Sequence, residues 1–299
     1  MGVYRLYKIM IDKVVKSIAQ RLQKEDPIMI GRGTTHTVYQ VGSYACKFRT
    51  QGFSDDDLFL FQTEKECCDL LIEHNISCVK VFGVVDGHAL GHEVFYGKPV
   101  LIEEYISGEV MFDNKELFEE DFVILYDIIN DINKIEKPYF GGYPGSKELS
   151  WTNFLSKLQM QVSDYIKENM NDVLKEYQLL DLSVVYQGTP HALMLEFNPH
   201  NYIWCGDSYK AIDVNSLLFG DTLYQWARIK MHMELHGRRH FCDKYIKQAE
   251  ELTILKYMIL SCGSDLIMRR RIGLNCDAHE SKLRNLIYLM GATKSEKQI

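Results

Sequence analysis

A lysine stands inside a short apolar run, Tyr44-Ala45-Cys46-Lys47-Phe48. Lysine is almost never buried without a partner, because an unpaired ammonium loses its hydration and gains nothing in return. Either Lys47 snorkels to solvent from an edge, or the chain folds so as to bring it a carboxylate. The segment that follows offers two. Residues 56–74 place Leu58, Phe61, Leu70 and Leu71 at helical spacing, with Glu64 and Glu66 among them. Those two glutamates project about 200° apart around a helix, so only one can face a neighbouring sheet. Glu64 is the expected partner and Glu66 the alternative.

The residues on either side extend the pattern. Residues 5–24 carry Ile9, Ile11, Val14, Val15, Ile18 and Leu22 with a helical period. A brief apolar run over 28–31 ends at Gly31. Residues 37–42 and 44–48 read as strands joined by a Gly42-Ser43 turn. Gly31-Arg32-Gly33 lies at the preceding turn, where glycines let backbone N–H groups approach phosphate oxygens closely. No helix follows it directly, which excludes the Rossmann and Walker arrangements. Residues 77–85 and 100–106 are strand-like, and Gly108 breaks the chain after the second.

Beyond residue 107 the spacing turns helical, over 116–134, 150–180, 221–236, 240–262 and 278–290, around an apolar, loop-rich stretch at 183–219. The expectation is an α+β chain of two lobes: a small antiparallel lobe over 1–107 with one inserted helix, and a larger helical lobe over 108–299. With 46% hydrophobic residues in 299, the chain can bury a substantial core. Its net charge of -7 argues against nucleic acid as a partner, since that partner rewards basic surfaces. The run Arg269-Arg270-Arg271 is read as a solvated helix end.

The eight cysteines form no C-x-x-C pair and are scattered through apolar segments, as free thiols in a reducing cytoplasm would be. Lys8, Asp12, Lys13 and Lys16 interrupt the N-terminal stretch, so no secretory signal is expected there. No run of about 18 apolar residues occurs, so no membrane helix is expected. A cytoplasmic monomer or weak dimer follows from these points.

The order of the elements is similar to the N-terminal lobe of kinases: a glycine hairpin, an A-x-K strand, then a helix with an inward Glu. Val38 stands seven positions after Gly31, as the loop valine does, and His36 replaces the third glycine. Leu101-Ile102-Glu103-Glu104-Tyr105-Ile106-Ser107-Gly108 resembles the hinge of small-molecule kinases. The segment Met194-Leu195-Glu196-Phe197-Asn198-Pro199-His200-Asn201 is similar to the H-G-D-x-H-P-x-N pattern of aminoglycoside phosphotransferases. Pro199 and Asn201 match, and Glu196 takes the place of Asp. Ala211-Ile212-Asp213-Val214 resembles the family's segment whose Asp binds magnesium. Gly220-Asp221 resembles the G-D-P-x-x-D element, with Gln225 at the second Asp.

On these residues, spread from about 31 to 227, the chain resembles the aminoglycoside phosphotransferase family. The resemblance implies a two-lobed, protein-kinase-like fold and transfer of phosphate from ATP or GTP to a hydroxyl of a small molecule, such as an aminoglycoside-like antibiotic. It implies that Gly31, Gly33, Lys47 and Glu64 serve the phosphates, and that backbone groups of Glu104, Tyr105 and Ile106 meet the base. It further implies that Asn201 and Asp213 hold Mg²⁺ and that Glu196 accepts the proton of the acceptor hydroxyl. Asp113, Glu116, Glu119, Glu120 and Asp121 either attract a cationic acceptor or simply open a helix. Two alternatives stand beside this one: a pseudokinase that binds nucleotide or serves as a scaffold, and an atypical protein kinase. No A-P-E segment or long activation loop follows Asp213.

Overall fold

Apolar alternation over three successive short runs builds the first sheet. The computed structural model describes residues 2–33, 35–50, 56–111, 119–145, 147–195, 199–206, 208–235, 242, 246 and 250–296. These divide into two units, Met1–Leu117 with Asn198–Ser216, and Phe118–Phe197 with Leu217–Ile299.

In the first unit a helix, α1 (Gly2–Leu22), precedes three strands, β1 (Ile28–Arg32), β2 (His36–Val41) and β3 (Tyr44–Arg49). A second helix, α2 (Asp56–Glu73), leads to β4 (Val81–Asp86) and β5 (Pro99–Glu104). The five strands form one sheet in the order β1-β2-β3-β5-β4, every neighbour antiparallel. Because side chains alternate across a strand, the sheet has two distinct faces. Val41, Cys46, Phe48, Val100 and Ile102 bury one face with Val14 and Ile18 of α1 and with Leu90 and Phe95. The opposite face carries Ala45 and Lys47 on β3 beside Glu103 and Leu101 on β5. Helix α2 packs against β4 and β5.

The chain returns to this unit much later. The short β6 (Glu109–Val110) pairs with β9 (Tyr202–Trp204), which pairs in turn with β10 (Tyr209–Ala211). A division of the sequence at 107 therefore differs from the observed one. The first unit runs on to 117 and takes in 198–216, because residues 202–211 find their strand partners there. Gly108 makes the closest approach in this sheet: a Cβ at 108 would lie 2.1 Å from the Trp204 carbonyl oxygen.

The second unit begins with α3 (Glu119–Asn133) and β7 (Gly141–Tyr143), followed by α4 (Trp151–Asn169), α5 (Leu174–Gln178) and β8 (His191–Met194). After the excursion through β9 and β10 come β11 (Leu217–Gly220), α6 (Thr222–Leu235), α7 (Glu251–Arg271) and α8 (Asp277–Glu296). A three-stranded sheet, β7-β11-β8, packs with these helices, and α7 lies against α4, α6 and α8.

Two helices depart from their expected spans. The helix expected over 150–180 breaks at Met170, which leaves helical geometry at φ −139°, ψ 48°. Asn169, Asn171 and Asp172 surround it, and their side chains compete for backbone hydrogen bonds. The helix expected over 240–262 instead runs from Glu251 to Arg271. Gly263 does not stop it: a Cβ there would meet Val162 at 2.5 Å, so this glycine serves close packing on α4. Arg269, Arg270 and Arg271 occupy the last turn, where cations complement the helix dipole.

Gly108→Ala is expected to lower stability by about 1–3 kcal/mol, since the added carbon meets backbone rather than a movable side chain. Urea unfolding measures this, and an unchanged midpoint would mean that β6 can move away from β9 at no cost.

Candidate functional site

Lys47 is 4% exposed. The register sets it opposite Val38 on β2 and Leu101 on β5. Its Nζ donates to both carboxylate oxygens of Glu64, each at 2.9 Å, and also bonds the Asp213 carboxylate. Glu64 is 1% exposed on α2, one turn beyond the buried Phe61. Glu66, the alternative partner, is held instead by Gln62 Nε2 at 3.3 Å in an exposed position. Burial would lower the Lys47 pKa, but Glu64 and Asp213 outweigh it and hold the ammonium charged, well above the ordinary lysine value. Asp213 shows the reciprocal effect. Burial pushes its carboxyl up, and Lys47 overcomes this and keeps it below the usual range.

Asp213 reaches Lys47 through the returning hairpin. Ala211 accepts from Val79 N–H at 2.8 Å and donates to Ser77 O at 3.0 Å, which stitches the end of β10 to the approach of β4. Two residues on, Asp213 adopts φ 56°, a left-handed conformation uncommon outside glycine and frequent at functional sites. Asn201 is buried at the end of a one-turn helix, and its carbonyl accepts Ile212 N–H at 2.8 Å. Asn201 and Asp213 are thus tied to adjacent points of one hairpin.

Gly31 and Gly33 border this face of the sheet. Neither has a positive φ, and an added Cβ would meet nothing closer than 3.9 Å and 3.7 Å respectively. The hairpin itself does not require glycine at either position. At the end of β5, Glu104 N–H donates to Lys80 O and Tyr105 N–H to Ser43 O, both at 2.9 Å. The Glu104 side chain accepts from Lys210 Nζ at 2.7 Å. Glu104 and Tyr105 therefore spend their backbone donors within the protein, and Ile106 follows them. Glu196 lies outside the described residues, as do Asp113 and Glu116; Glu119, Glu120 and Asp121 fall in the first turn of α3, and their side chains lie outside the described ones.

Sequence reasoning passed over Glu103. It is 8% exposed, and its Oε2 has no hydrogen-bond partner. Burial, followed by the charge of Glu64, raises its pKa from 4.5 to about 8. The available signal was alternation: Glu103 stands two residues after Leu101, on the face that carries Lys47. Among the described residues Lys47 thus meets two carboxylates, Glu64 and Asp213, and burial beside them holds the Glu103 carboxyl above its ordinary range.

No protein-family model and no curated protein matches the sequence. Solved structures do match. A protein assigned as fructosamine-3-kinase from Haemophilus somnus 129PT superposes with a TM-score of 0.63 at 16% identity, over 95% of this chain and 99% of that one. A thermostable aminoglycoside phosphotransferase APH(4)-Ia, bound to AMP-PNP and hygromycin B, gives 0.62 at 14% identity over 93% and 97%. The fold is that of the aminoglycoside phosphotransferases. A GDP complex of aminoglycoside 2'-phosphotransferase-IIIa extends the likeness, with a TM-score of 0.55 at 13% identity over 94% and 98%. In this fold the first unit carries the buried Lys47–Glu64 pair between β3 and α2. No helix among the described residues is long and apolar enough to cross a membrane.

Glu103→Gln tests the buried carboxyl. A group whose pKa is raised by folding holds its proton in the native state between about 4.5 and about 8, while the unfolded chain releases it. Wild-type stability should therefore fall as pH rises through that window. The melting temperature of Glu103→Gln should exceed that of wild type by a margin that widens from pH 5 to pH 8. A margin constant with pH would show that Glu103 titrates normally.

Proposed function

We propose that this chain is a phosphotransferase that moves the γ-phosphoryl group of ATP or GTP to a hydroxyl of a small molecule. The observation that carries this reading is the buried Lys47 ammonium, held by Glu64 and turned to Asp213 beside a glycine turn. Lys47 would bind the α- and β-phosphates, with Glu64 fixing its direction. Gly31 and Gly33 leave room for phosphate oxygens at the backbone. Ile106 is the hinge residue best placed in sequence to pair with the base, given the internal bonds of Glu104 and Tyr105 N–H.

The donor set at Asn201 and Asp213 suits Mg²⁺, since both offer hard oxygens. Asn201 and Asp213 would hold the ion, which when bound neutralises charge on the phosphates. In the reaction the acceptor hydroxyl oxygen bonds to the γ-phosphorus, the bond to the β-γ bridging oxygen breaks, and the hydroxyl proton passes to the Glu196 carboxylate. An acceptor bearing amino groups, of the aminoglycoside or fructosamine kind named for the similar structures, fits the acidic balance of the chain. The free thiols support a reducing, cytoplasmic setting.

One observation favours a second reading, a nucleotide-binding module without transfer. Glu196 is one methylene longer than the Asp of the family pattern. Phosphate transfer separates the two. The chain is incubated with labelled ATP or GTP, magnesium and a panel of aminoglycosides, fructosamines, sugars and amino alcohols. Labelled product in any arm supports the transferase. Nucleotide binding with no product in all of them favours the module, and no nucleotide binding at all overturns both.

Two variants refine the test. Lys47→Met should lower kcat/KM by on the order of 100-fold, as expected when a positioned charge against the transferred group is lost. Gly33→Ala should leave stability within about 0.5 kcal/mol yet raise the nucleotide Kd about tenfold, a difference of about 1.4 kcal/mol. If Gly33→Ala binds nucleotide as wild type does, the glycine turn does not receive phosphates.

A further inference from the structure

Arg228 on α6 belongs to no motif read from the sequence, yet all three of its donor nitrogens are engaged. Nε donates to the Leu195 carbonyl at 2.8 Å, Nη1 to Ser261 Oγ at 3.0 Å and Nη2 to Asp265 Oδ1 at 3.0 Å. Its side chain is 13% exposed and that of Asp265 18%. One turn earlier on α6, Gln225 is fully buried. Its Nε2 donates to Met194 O at 3.3 Å, and its Oε1 accepts from Asn133 Nδ2 at 2.8 Å. Asn133 Nδ2 also donates to Ala192 O at 2.7 Å. Three carbonyls in a row of four residues, at 192, 194 and 195, are thus held by side chains from α3 and α6.

A plain structural account covers part of this. Strand β8 lies at the edge of its sheet, and its outward groups need partners. That account stops at Met194, where β8 ends. Leu195 is past the ladder, and its carbonyl could have been left to water. It is bonded instead by a largely buried arginine that needs Asp265 to offset its desolvation. A buried ion pair is an expensive means of satisfying one carbonyl and gains little stability over apolar packing. It does fix geometry, because a guanidinium gripped at Nη1 and Nη2 aims Nε in one direction. The carbonyl it fixes belongs to the peptide group that joins Leu195 to Glu196.

We propose that Arg228, locked by Asp265 and Ser261, is a positioning residue that fixes the Leu195 carbonyl, the last described group before Glu196, and acts on transfer through that link. Gln225 and Asn133 hold the strand immediately before it. This inference rests on the phosphotransferase reading for its chemical consequence, though the clamp can be measured without it. The charge on Arg228 is secure: burial opposes it, and Asp265 and Tyr224 more than offset the burial.

Two changes test the clamp. Arg228→Lys keeps the cation and loses the planar fork. The double change Arg228→Leu with Asp265→Leu removes both charges together, so that neither is left buried alone. In both, amide hydrogen exchange in the peptide spanning residue 195 should quicken at least about tenfold, while exchange in β2 and β3 stays as in wild type. Nucleotide Kd should hold within about twofold. With an acceptor in hand, kcat should fall about 10- to 100-fold with KM little changed, as expected for misplacement of a reacting group by about 1 Å.

In a Glu196→Gln background, Arg228→Lys should lower kcat no further, because the two act through one carboxylate. Exchange that is unchanged at residue 195, or a kcat loss that adds in full to that of Glu196→Gln, overturns the proposal. A wild-type chain that transfers no phosphate overturns the phosphotransferase reading instead. The clamp is then judged on the exchange result alone.

Discussion

A buried ammonium organises the first unit. Lys47 cannot stay charged in an apolar strand unless carboxylates reach it, and both that do are brought from a distance along the chain. Glu64 arrives on α2, 17 residues later, and Asp213 on a hairpin 166 residues later. The demands of this one charge account for much of the architecture around it. Helix α2 must lie on the face of the sheet opposite α1. The hairpin 198–216 must leave the helical unit and add itself to the strand-rich one. Ala211 must be stitched to Ser77 and Val79, so that Asp213 arrives in register.

This explains which features could be read in the sequence. A charged residue in an apolar run announces a constraint, and helical spacing then chooses between Glu64 and Glu66. The glycine turn, the strands around it and the order of the later motifs follow from periods of 2 and 3.6 and from turn residues. Glu103 was missed because it stands beside Glu104, and the pattern of a hinge directs the eye to the second glutamate; only the pairing of Leu101 with Lys47 shows that Glu103 shares the buried face. Gly263 is ambiguous in the sequence. A glycine can end a helix or let another helix approach, and the two uses look the same until Val162 is seen against it. Arg228 carried no signal at all. Its partners, a backbone carbonyl, Ser261 and Asp265, lie more than 30 residues away in both directions.

The two units handle polar burial differently. Around Lys47 the groups are charged and crowded, with Glu64 and Asp213 on one ammonium and the Glu103 carboxyl held above its ordinary range by burial and then by Glu64. Around β8 the groups are mostly neutral amides that satisfy one another, together with the Arg228–Asp265 ion pair. A frustrated charge cluster favours the binding of an ion or a polyanion with its counterion. A satisfied amide network favours holding a backbone still.

The extra methylene at Glu196 is best judged against that fixed backbone. It displaces the carboxylate by about 1.5 Å relative to an Asp on the same backbone, and about 1 Å can cost on the order of 100-fold in rate. Carbonyls 192, 194 and 195 are all tied, so the segment before Glu196 cannot retreat to absorb the added length. Asn198 stands where the family pattern has His, which is the side on which an adjusted loop would have to differ. The buried Arg228–Asp265 pair is held at a cost in desolvation, and it is aimed at the last carbonyl before that longer acid.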